Sequence, residues 1–467
     1  MDYTELNIQD LPICNLEKIF SYVPHKNPLR LVSKYFRSII NGSRKLMFNT
    51  RLNVQAKAKD KSGTDIDAYI QRMFIPQFGP EELDVVKNYK WRKHIKFLRY
   101  NIHKEGMLKS FILLRSVSFK FKNLVEITIT FPSKSFMVQG VDPISLDADD
   151  ENKLNEMGRL KLQSLKTLQI VDMHSNNRDI LHFFTKSPKL KKLVLHNIEN
   201  FTTLNRGPWK LEELKMNPRD FNPYAVRFFE KQSSSLKVLT ISGSAKMLND
   251  IVRLLPHLEI LRLNVRGQAY FDDKFLISND KLKELSFDLS MVQSRTVEML
   301  LKHYYNIERL CLDIDNKIMI ENLTLSNLKH ISLSSNCMQL LSRLNLKNLK
   351  SLAFPTREVS LSYFEQIPIE YLQNVEVLKV KIDYGVIPDM FEFFPALKHF
   401  YFLNRGYVTE NVLSNMLIVR DLLSINMIRS DWALEMLPTD YLSAIGRYDT
   451  VIKFYKNIED MLEWKEV

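Results

Sequence analysis

The sequence is poor in the residues that build phosphate-binding loops and disulfide frameworks. Glycine accounts for 12 of its 467 residues, and neither G-x-G-x-x-G nor G-x-x-x-x-G-K-[ST] occurs, which argues against a nucleotide-binding loop. The three cysteines, Cys14, Cys311 and Cys337, are far apart. They therefore form neither a disulfide framework nor the closely spaced ligand pairs of a zinc site. A reducing compartment, the cytoplasm or the nucleus or both, is expected.

Signals for catalysis and for membrane insertion are missing as well. H-E-x-x-H, G-x-S-x-G and C-x-x-C do not occur, and the ten histidines are scattered, so we predict no enzyme, no cofactor and no metal site. The first residues, MDYTELNIQDLP, lack the basic start and apolar core of a signal peptide. No run approaches the roughly 18 apolar residues of a membrane span, so no membrane partner is predicted.

The excess of basic residues has two interpretations. Lys and Arg outnumber Asp and Glu by 66 to 54, which gives a formal net charge of +12. Such a charge can indicate an acidic partner, including nucleic acid. The lysines are spread along the chain, mostly singly and beside leucine, and this pattern favours an ordinary solvated basic surface.

An apolar pattern repeats along most of the chain. Its form is Φ-x-x-Φ-x-Φ, where Φ is apolar, as in Leu190-Leu193-Leu195. All but one of the intervals between neighbouring copies fall within the roughly 20–29 residues of a leucine-rich repeat. The long interval contains an acidic segment at about 131–160, which predicts an exposed inserted loop. The thirteen copies begin at Leu124, Leu165, Leu190, Leu211, Leu236, Leu258, Leu282, Ile307, Leu328, Leu349, Val375, Leu397 and Leu422.

Each copy predicts a short strand, because alternate residues of a strand point to the same face. One such strand cannot bury its apolar face alone, whereas stacked neighbours build a parallel sheet over a continuous core. Helical spacing between copies predicts an outer helix in each unit. That helix is expected to end where a proline precedes the next copy by two residues, at Pro188, Pro256 and Pro395.

The pattern resembles the leucine-rich repeat superfamily. The expected fold class is α/β: a right-handed leucine-rich-repeat solenoid over 95–467, with a C-terminal cap at about 430–467. The resemblance implies a horseshoe with the parallel sheet inside and the helices outside. Residues between the apolar strand positions would face the concave side. We predict substrate binding there by Arg262, Arg309, Asp313, His330, Lys379, Lys381, His399 and Tyr401.

These concave positions carry both signs of charge. Nucleic-acid binding favours clustered Lys and Arg with stacking aromatic residues, so nucleic acid is not the predicted partner. A protein ligand read through mixed polar contacts fits the pattern better.

Residues 1–42 contain two amphipathic helical runs. The first begins after Leu11-Pro12, has one apolar stripe, and ends at Pro24. The second ends at Gly42. About 35 residues cannot bury this much apolar surface alone, so part of it must face a partner or the rest of the chain. The apolar and proline positions are Leu11, Pro12, Leu16, Ile19, Phe20, Val23, Pro24, Leu29, Val32 and Phe36.

This segment resembles an F-box, with Leu11-Pro12, Leu16-x-x-Ile19-Phe20, Val23-Pro24 and Val32-Ser33-Lys34 in the family's order. It departs from the family at Asn27-Pro28, which replaces Asp-Leu, and in a shorter second half. The chain is thus similar to F-box proteins with C-terminal leucine-rich repeats. A small all-helical F-box over 1–42 would precede a connector and N-terminal cap over 43–94 and then the solenoid.

The resemblance implies a non-catalytic substrate receptor of an SCF-type (Skp–cullin–F-box) ubiquitin ligase. The ten apolar and proline residues of the F-box would bind a Skp-type adaptor, and through it a cullin. The repeats would hold an unidentified target protein for ubiquitination and degradation. Two alternatives stay open: a leucine-rich-repeat scaffold outside ubiquitin transfer, and a basic nucleic-acid-associated protein.

Overall fold

A computed structural model describes residues 51–58, 66–72, 97–101, 124–130, 162–171, 181, 184, 187–198, 201–218, 222–269, 279–314, 317–321, 323–382, 387–403, 422–428 and 451–455. The chain divides into two compact units, Met1–Leu236 and Lys237–Val467. The F-box segment 1–42, the acidic loop 131–160 and most of the C-terminal cap lie outside the described residues.

The first unit contains seven described strands, which are β1 (Arg51–Ala58), β2 (Ile66–Arg72), β3 (Phe97–Asn101), β4 (Glu126–Thr130), β5 (Thr167–Val171), β6 (Lys192–Ile198) and β7 (Glu213–Pro218). Strands β3 to β7 pair in chain order, and every pairing is parallel. Strand β1 adds to β3 in parallel and pairs with β2 in antiparallel orientation, so a hairpin continues the sheet beyond β3. Two helices, α1 (Phe201–Arg206) and α2 (Pro223–Gln232), are described here.

The described strands of the second unit are β8 (Val238–Gly243), β9 (Ile260–Ala269), β10 (Glu284–Val292), β11 (Arg309–Ile314), β12 (Leu323–Thr324), β13 (His330–Leu333), β14 (Leu344–Asn345), β15 (Ser351–Glu358), β16 (Val377–Lys381), β17 (His399–Phe402), β18 (Ser424–Ile428) and β19 (Val451–Tyr455). Except for β12 and β14, they form one parallel series in chain order. Its described helices are α3 (Ala245–Arg253), α4 (Ser294–His303), α5 (Leu361–Phe364), α6 (Ile369–Leu372) and α7 (Ile387–Glu392).

The parallel-sheet prediction is confirmed. The second and third apolar residues of each of the thirteen copies lie on a strand, and the second is in register with its counterpart on the next strand of the same unit. Leu261, Leu285 and Leu310 make one such row, and all three are buried. Pro188, Pro256 and Pro395 lie in turns, where a ring without an N–H ends the preceding helix. The right-handed horseshoe stays a prediction.

The prediction of an outer helix in every unit is wrong near residue 330. The short strands β12 and β14 pair in parallel as a separate two-stranded sheet, and a 3₁₀ helix spans Ser335–Ser342. Leu325 and Leu346, each just after one of these strands, are buried. Apolar residues that precede a tight turn thus reach the core from an extended chain as well as from a helix.

A row of backbone carbonyl groups links neighbouring strands at their N-terminal ends. The carbonyl of Lys237 accepts hydrogen bonds from the backbone N–H groups of Glu259 and Ile260, and the carbonyl of Glu259 accepts from Lys283 and Glu284. The same doubled contact recurs at the later strands of the series. Each carbonyl thereby satisfies two donors at the point where regular strand pairing begins.

The side chains of that row are lysines and glutamates, and neighbours of opposite sign form exposed ion pairs. The Nζ–Oε distances are 2.7 Å for Lys191–Glu212, 3.1 Å for Lys237–Glu259, 2.9 Å for Lys329–Glu308 and 3.1 Å for Lys398–Glu376. Exposed pairs contribute only about 0–1 kcal/mol each. In these four pairs, a lysine lies beside a glutamate of a neighbouring repeat. This arrangement supports the interpretation of the basic charge as a solvated surface.

Side chains in the turn that follows β13 form hydrogen bonds with the backbone of Ile314. Asn336 is the residue that fits the leucine-rich-repeat turn pattern here, and its Nδ2 donates to the Ile314 carbonyl at 3.5 Å. The buried Ser334 hydroxyl also accepts a hydrogen bond from the Ile314 N–H at 3.1 Å and donates to the Ile314 carbonyl at 2.9 Å. A short hydroxyl at the strand end therefore acts together with the longer amide.

Gln232, the last residue of α2, is expected to stabilise the first unit strongly. Its buried amide accepts a hydrogen bond from the Leu211 N–H at 2.9 Å and donates to the Trp209 carbonyl at 3.2 Å. Gln232→Ala leaves two buried backbone groups unpaired and should lower the free energy of unfolding by about 2–3 kcal/mol. Urea denaturation measures this. The exposed helix neighbour Glu230→Ala is the control, and an equal loss in both variants would refute the role of the amide.

Candidate protein-binding site on the sheet

The strands of the second unit have one apolar face and one polar face. The polar face is the side of the sheet formed by the residues that alternate with the buried leucines. It contains the predicted substrate-binding residues. The burial pattern of β11 shows this alternation: Leu310, Leu312 and Ile314 are buried, whereas Arg309, Cys311 and Asp313 are half-buried. Register places Arg309 beside Glu284 on one side and His330 on the other.

Arg262, Glu284 and Arg309 form an ion-pair cluster across strands β9, β10 and β11. Arg262 donates from Nε to Oε1 of Glu284 at 2.6 Å, and a terminal nitrogen of Arg309 lies 3.6 Å from Oε2. The Glu284 side chain is 8% exposed, against 45% for Arg262 and 26% for Arg309. The residues predicted from the sequence to bind a substrate do not include Glu284, although strand alternation places it on this face. Glu284 is the first residue of its strand, as Arg309 is of the next strand. This shared position in the repeat was the sequence signal that the two side chains would be neighbours.

Acidic groups lie farther along the same strands, four residues beyond Glu284 and Arg309 and two residues beyond the row of Arg262. Asp288 is in register with Asp313, and Asn264 donates a hydrogen bond to Asp288 from the next strand. The polar face at β9–β11 therefore has a basic end and an acidic end. About 6.6 Å separates alternate residues along a strand, so the two ends are within reach of one extended peptide.

His330 is uncharged at neutral pH. Burial lowers the pKa of its imidazole to about 4, and the cations Arg309 and Lys329 act in the same direction. Removing the ring from water disfavours its charged form, and each nearby positive charge adds to that cost. His330 thus adds a neutral polar group, not a second cation, beside Arg309.

The polar face is closed at β13–β16. Ser332, Ser351 and Ala353 are buried there, although Ser332 and Ala353 occupy the strand position of the exposed Arg262. Lys379 is 2% exposed. The expectation that Lys379 presents its ammonium group on an accessible surface is therefore not met. The charged region at β9–β11 is an accessible part of the polar face, since Arg262 is exposed and Arg309 and Asp313 are half-buried.

The remaining predicted residues lie on strands β16 and β17, and each contacts a residue of a neighbouring strand. The Lys379 ammonium nitrogen is 4.6 Å from the centre of the Tyr401 ring, which is a cation–π arrangement. His399 Nδ1 lies 2.9 Å from the hydroxyl of Ser424, a partner that sequence reasoning missed. Lys381 is half-buried and lies 3.5 Å from the Thr356 carbonyl. The structure thus separates the eight residues into an Arg262–His330 group and a Lys379–Tyr401 group.

Lys379→Met is expected to stabilise the protein at neutral pH. Burial lowers the pKa of Lys379 to about 8, whereas the unfolded chain keeps the ordinary value of 10.5. The unfolded state therefore binds more protons between those values, so the free energy of unfolding rises as pH increases from about 8 to 10.5. Methionine removes the cost of burying the charge, which predicts a gain of about 1–3 kcal/mol at pH 7.

Chemical denaturation across the alkaline range tests this prediction. The gain from Lys379→Met should shrink above pH 8, as lysine loses its proton in the native state of the parent protein. The half-buried neighbour Lys381→Met should change stability by about 0.5 kcal/mol or less. A destabilised Lys379→Met variant at pH 7 would contradict the prediction.

The two described cysteines are poor nucleophiles. Cys337 is buried, its Sγ lies 3.5 Å from the Ser334 hydroxyl, and burial raises the pKa of its thiol to about 11. Burial also raises the pKa of the Cys311 thiol, despite hydrogen bonds with Ser286 and Ser332. Both thiols are therefore protonated at neutral pH, and the thiolate is the reactive form.

The described residues contain neither a metal-binding cluster nor a membrane-spanning helix. Within these ranges, no group of three or more His, Cys, Asp or Glu side chains is arranged to hold a metal ion. No described helix has the length and apolar character to cross a bilayer. The predicted adaptor-binding residues lie outside the described residues; they are Leu11, Pro12, Leu16, Ile19, Phe20, Val23, Pro24, Leu29, Val32 and Phe36.

Comparison with known proteins leaves the family of this chain open. No family model matches the sequence, and no curated protein matches it. Solved structures that match include the Toll–Spätzle complex, described as a molecular hub in Drosophila development and innate immunity. That likeness has 12% identity and a TM-score of 0.36, and it covers 83% of this chain. The chain spans 57% of the length of the matched chain.

Proposed function

We propose that this chain is the substrate-recognition subunit of an SCF-type ubiquitin ligase. Its F-box-like segment would bind a Skp-type adaptor, and its leucine-rich-repeat array would hold a target protein. The observation that carries the proposal is the order of two independent signals. The F-box pattern from Leu11 to Phe36 is followed by thirteen apolar copies, each on a strand of a parallel sheet.

The polar face supports a protein target. At β9–β11 it offers two arginines beside three carboxylates, those of Glu284, Asp288 and Asp313, so it lacks the uniform positive charge that binds phosphate backbones. Mixed charge with aromatic residues at the far strands is typical of protein interfaces. A receptor of this kind would promote ubiquitin transfer by proximity.

The decisive experiment is a pulldown of the purified full-length protein with a purified Skp-type adaptor and cullin. A variant that lacks residues 1–42 is the matched control. We expect the full chain to bind and the truncated chain not to bind, while both retain the thermal unfolding transition of the repeat region. Failure of a well-folded full-length protein to bind would favour an interaction scaffold outside ubiquitin transfer.

A further inference from the structure

The Glu284 cluster holds two guanidinium groups in fixed positions on the open part of the polar face. We call Arg262 and Arg309 the arginine pair. Glu284 is buried and lies on the strand between them, and its carboxylate faces Arg262 Nε at 2.6 Å and Arg309 at 3.6 Å. A buried carboxylate that contacts both side chains restricts their rotamers before any ligand arrives. Such preorganisation lowers the entropic cost of binding.

The arginine pair has hydrogen-bonding capacity left over. Among the described residues, the Nε contact with Glu284 is the one polar contact of the Arg262 side chain, and the 3.6 Å ion pair is the one polar contact of Arg309. A guanidinium carries five N–H donors, so most donors of the pair remain available. Oε2 of Glu284 is buried and accepts no hydrogen bond. At 3.6 Å from Oε2, the Arg309 head lies beyond hydrogen-bond distance, so its N–H donors stay available in the position that the ion pair sets.

We infer that the arginine pair binds a single carboxylate side chain of a protein partner. The two arginines and Glu284 sum to one positive charge, which one carboxylate neutralises. A phosphate with nearly two negative charges would leave an excess negative charge beside the buried Glu284. Planar guanidinium groups bind carboxylates in a bidentate geometry, which an ammonium group cannot reproduce. The inference rests on the proposed function in that it specifies the target segment.

The acidic end of the site restricts the ligand further. Asp288 and Asp313 lie four residues beyond Glu284 and Arg309, and two residues beyond the row that contains Arg262. They disfavour a second acidic residue there and favour a basic one. The fitting ligand is an extended segment with an acidic residue and, two to four positions away, a lysine or arginine, since alternate residues of an extended chain are about 6.6 Å apart.

A dye-labelled glycine–serine peptide with the core Glu-Gly-Lys is the probe, and fluorescence anisotropy at low ionic strength is the measurement. Parallel peptides replace the glutamate with glutamine or with phosphoserine. We expect the full-length protein to bind the glutamate peptide about tenfold more tightly than the glutamine peptide. Equal affinities for these two peptides would overturn the inference, and tighter binding of the phosphoserine peptide would overturn its assignment to a carboxylate.

Variants of the cluster distinguish binding by a positioned arginine pair from general electrostatic attraction. Arg309→Lys retains the charge but loses the planar fork, and it should weaken binding about tenfold, whereas Arg295→Lys on the outer helix α4 should not change it. Glu284→Gln raises the net charge, so general attraction predicts tighter binding and a positioned pair predicts weaker binding. Unchanged affinity in Arg309→Lys, with an unaltered unfolding curve, would overturn the inference.

Adaptor binding is measured on the same samples. Loss of peptide selectivity with adaptor binding intact would remove the carboxylate site and leave the proposed function standing. Peptide selectivity without adaptor binding would leave a carboxylate-reading repeat protein outside ubiquitin transfer.

Discussion

Replacing Ile19 and Phe20 together with alanine is expected to abolish binding to a Skp-type adaptor. In the F-box pattern these residues belong to the apolar stripe that would pack into a groove of the adaptor. Truncating two large apolar side chains in such an interface costs about 3 kcal/mol or more, which corresponds to a loss of affinity of over a hundredfold. A titration of full-length protein with purified adaptor measures the change.

The same segment provides a matched control. Glu17 and Lys18 lie beside the stripe and are polar, so Glu17→Ala with Lys18→Ala should leave adaptor affinity within about threefold. A second double variant, Leu11→Ala with Pro12→Ala, tests the start of the motif and should also lose binding. If the adaptor binds both apolar double variants as tightly as the parent protein, the proposed binding face is wrong.

Phe364→Ala should cause the largest loss of stability in the second unit. Phe364, the last residue of α5, is fully buried. Its ring centre lies 6.0 Å from Phe354, 6.0 Å from Phe393 and 5.2 Å from Phe394. Alanine removes the ring contacts with all three neighbours and leaves a cavity between successive repeats. Such substitutions cost about 3–5 kcal/mol.

The adjacent aromatic residue makes a sharp comparison. Tyr363 lies on the same short helix and is 37% exposed, so Tyr363→Ala should cost about 1 kcal/mol or less. Urea unfolding of both variants, with far-ultraviolet circular dichroism as the signal, measures the difference. Similar losses in the two variants would show that the Phe354–Phe364–Phe394 cluster does not stabilise the unit as its packing implies.

The strand pattern was predictable because each strand contains its own signal. Leu193 and Leu195 lie two residues apart, and this spacing alone places both side chains on one face. The elements between strands were less predictable. The short strand β12 and the 3₁₀ helix at Ser335–Ser342 occupy places where an outer helix was expected, because a short apolar segment reaches the core equally well in several backbone conformations.

The candidate site was predictable only in outline. Alternation assigned Arg262, Arg309 and Lys379 to the same sheet face, but it contains no information about which part of that face is open. Lys379 proved to be buried, whereas Arg262 is exposed. Exposure depends on what packs over a strand, which is a property of residues distant in sequence.

The sequence by itself determined the repeat length and the apolar face of each strand, since these are periodic patterns within short windows. The tertiary structure decided which charges meet. Parallel register places Glu284 beside Arg309 and within reach of Arg262, although the three residues belong to different repeats. A pairing of that kind arises from the lateral alignment of strands, because only stacking brings residues more than twenty positions apart to within hydrogen-bond distance.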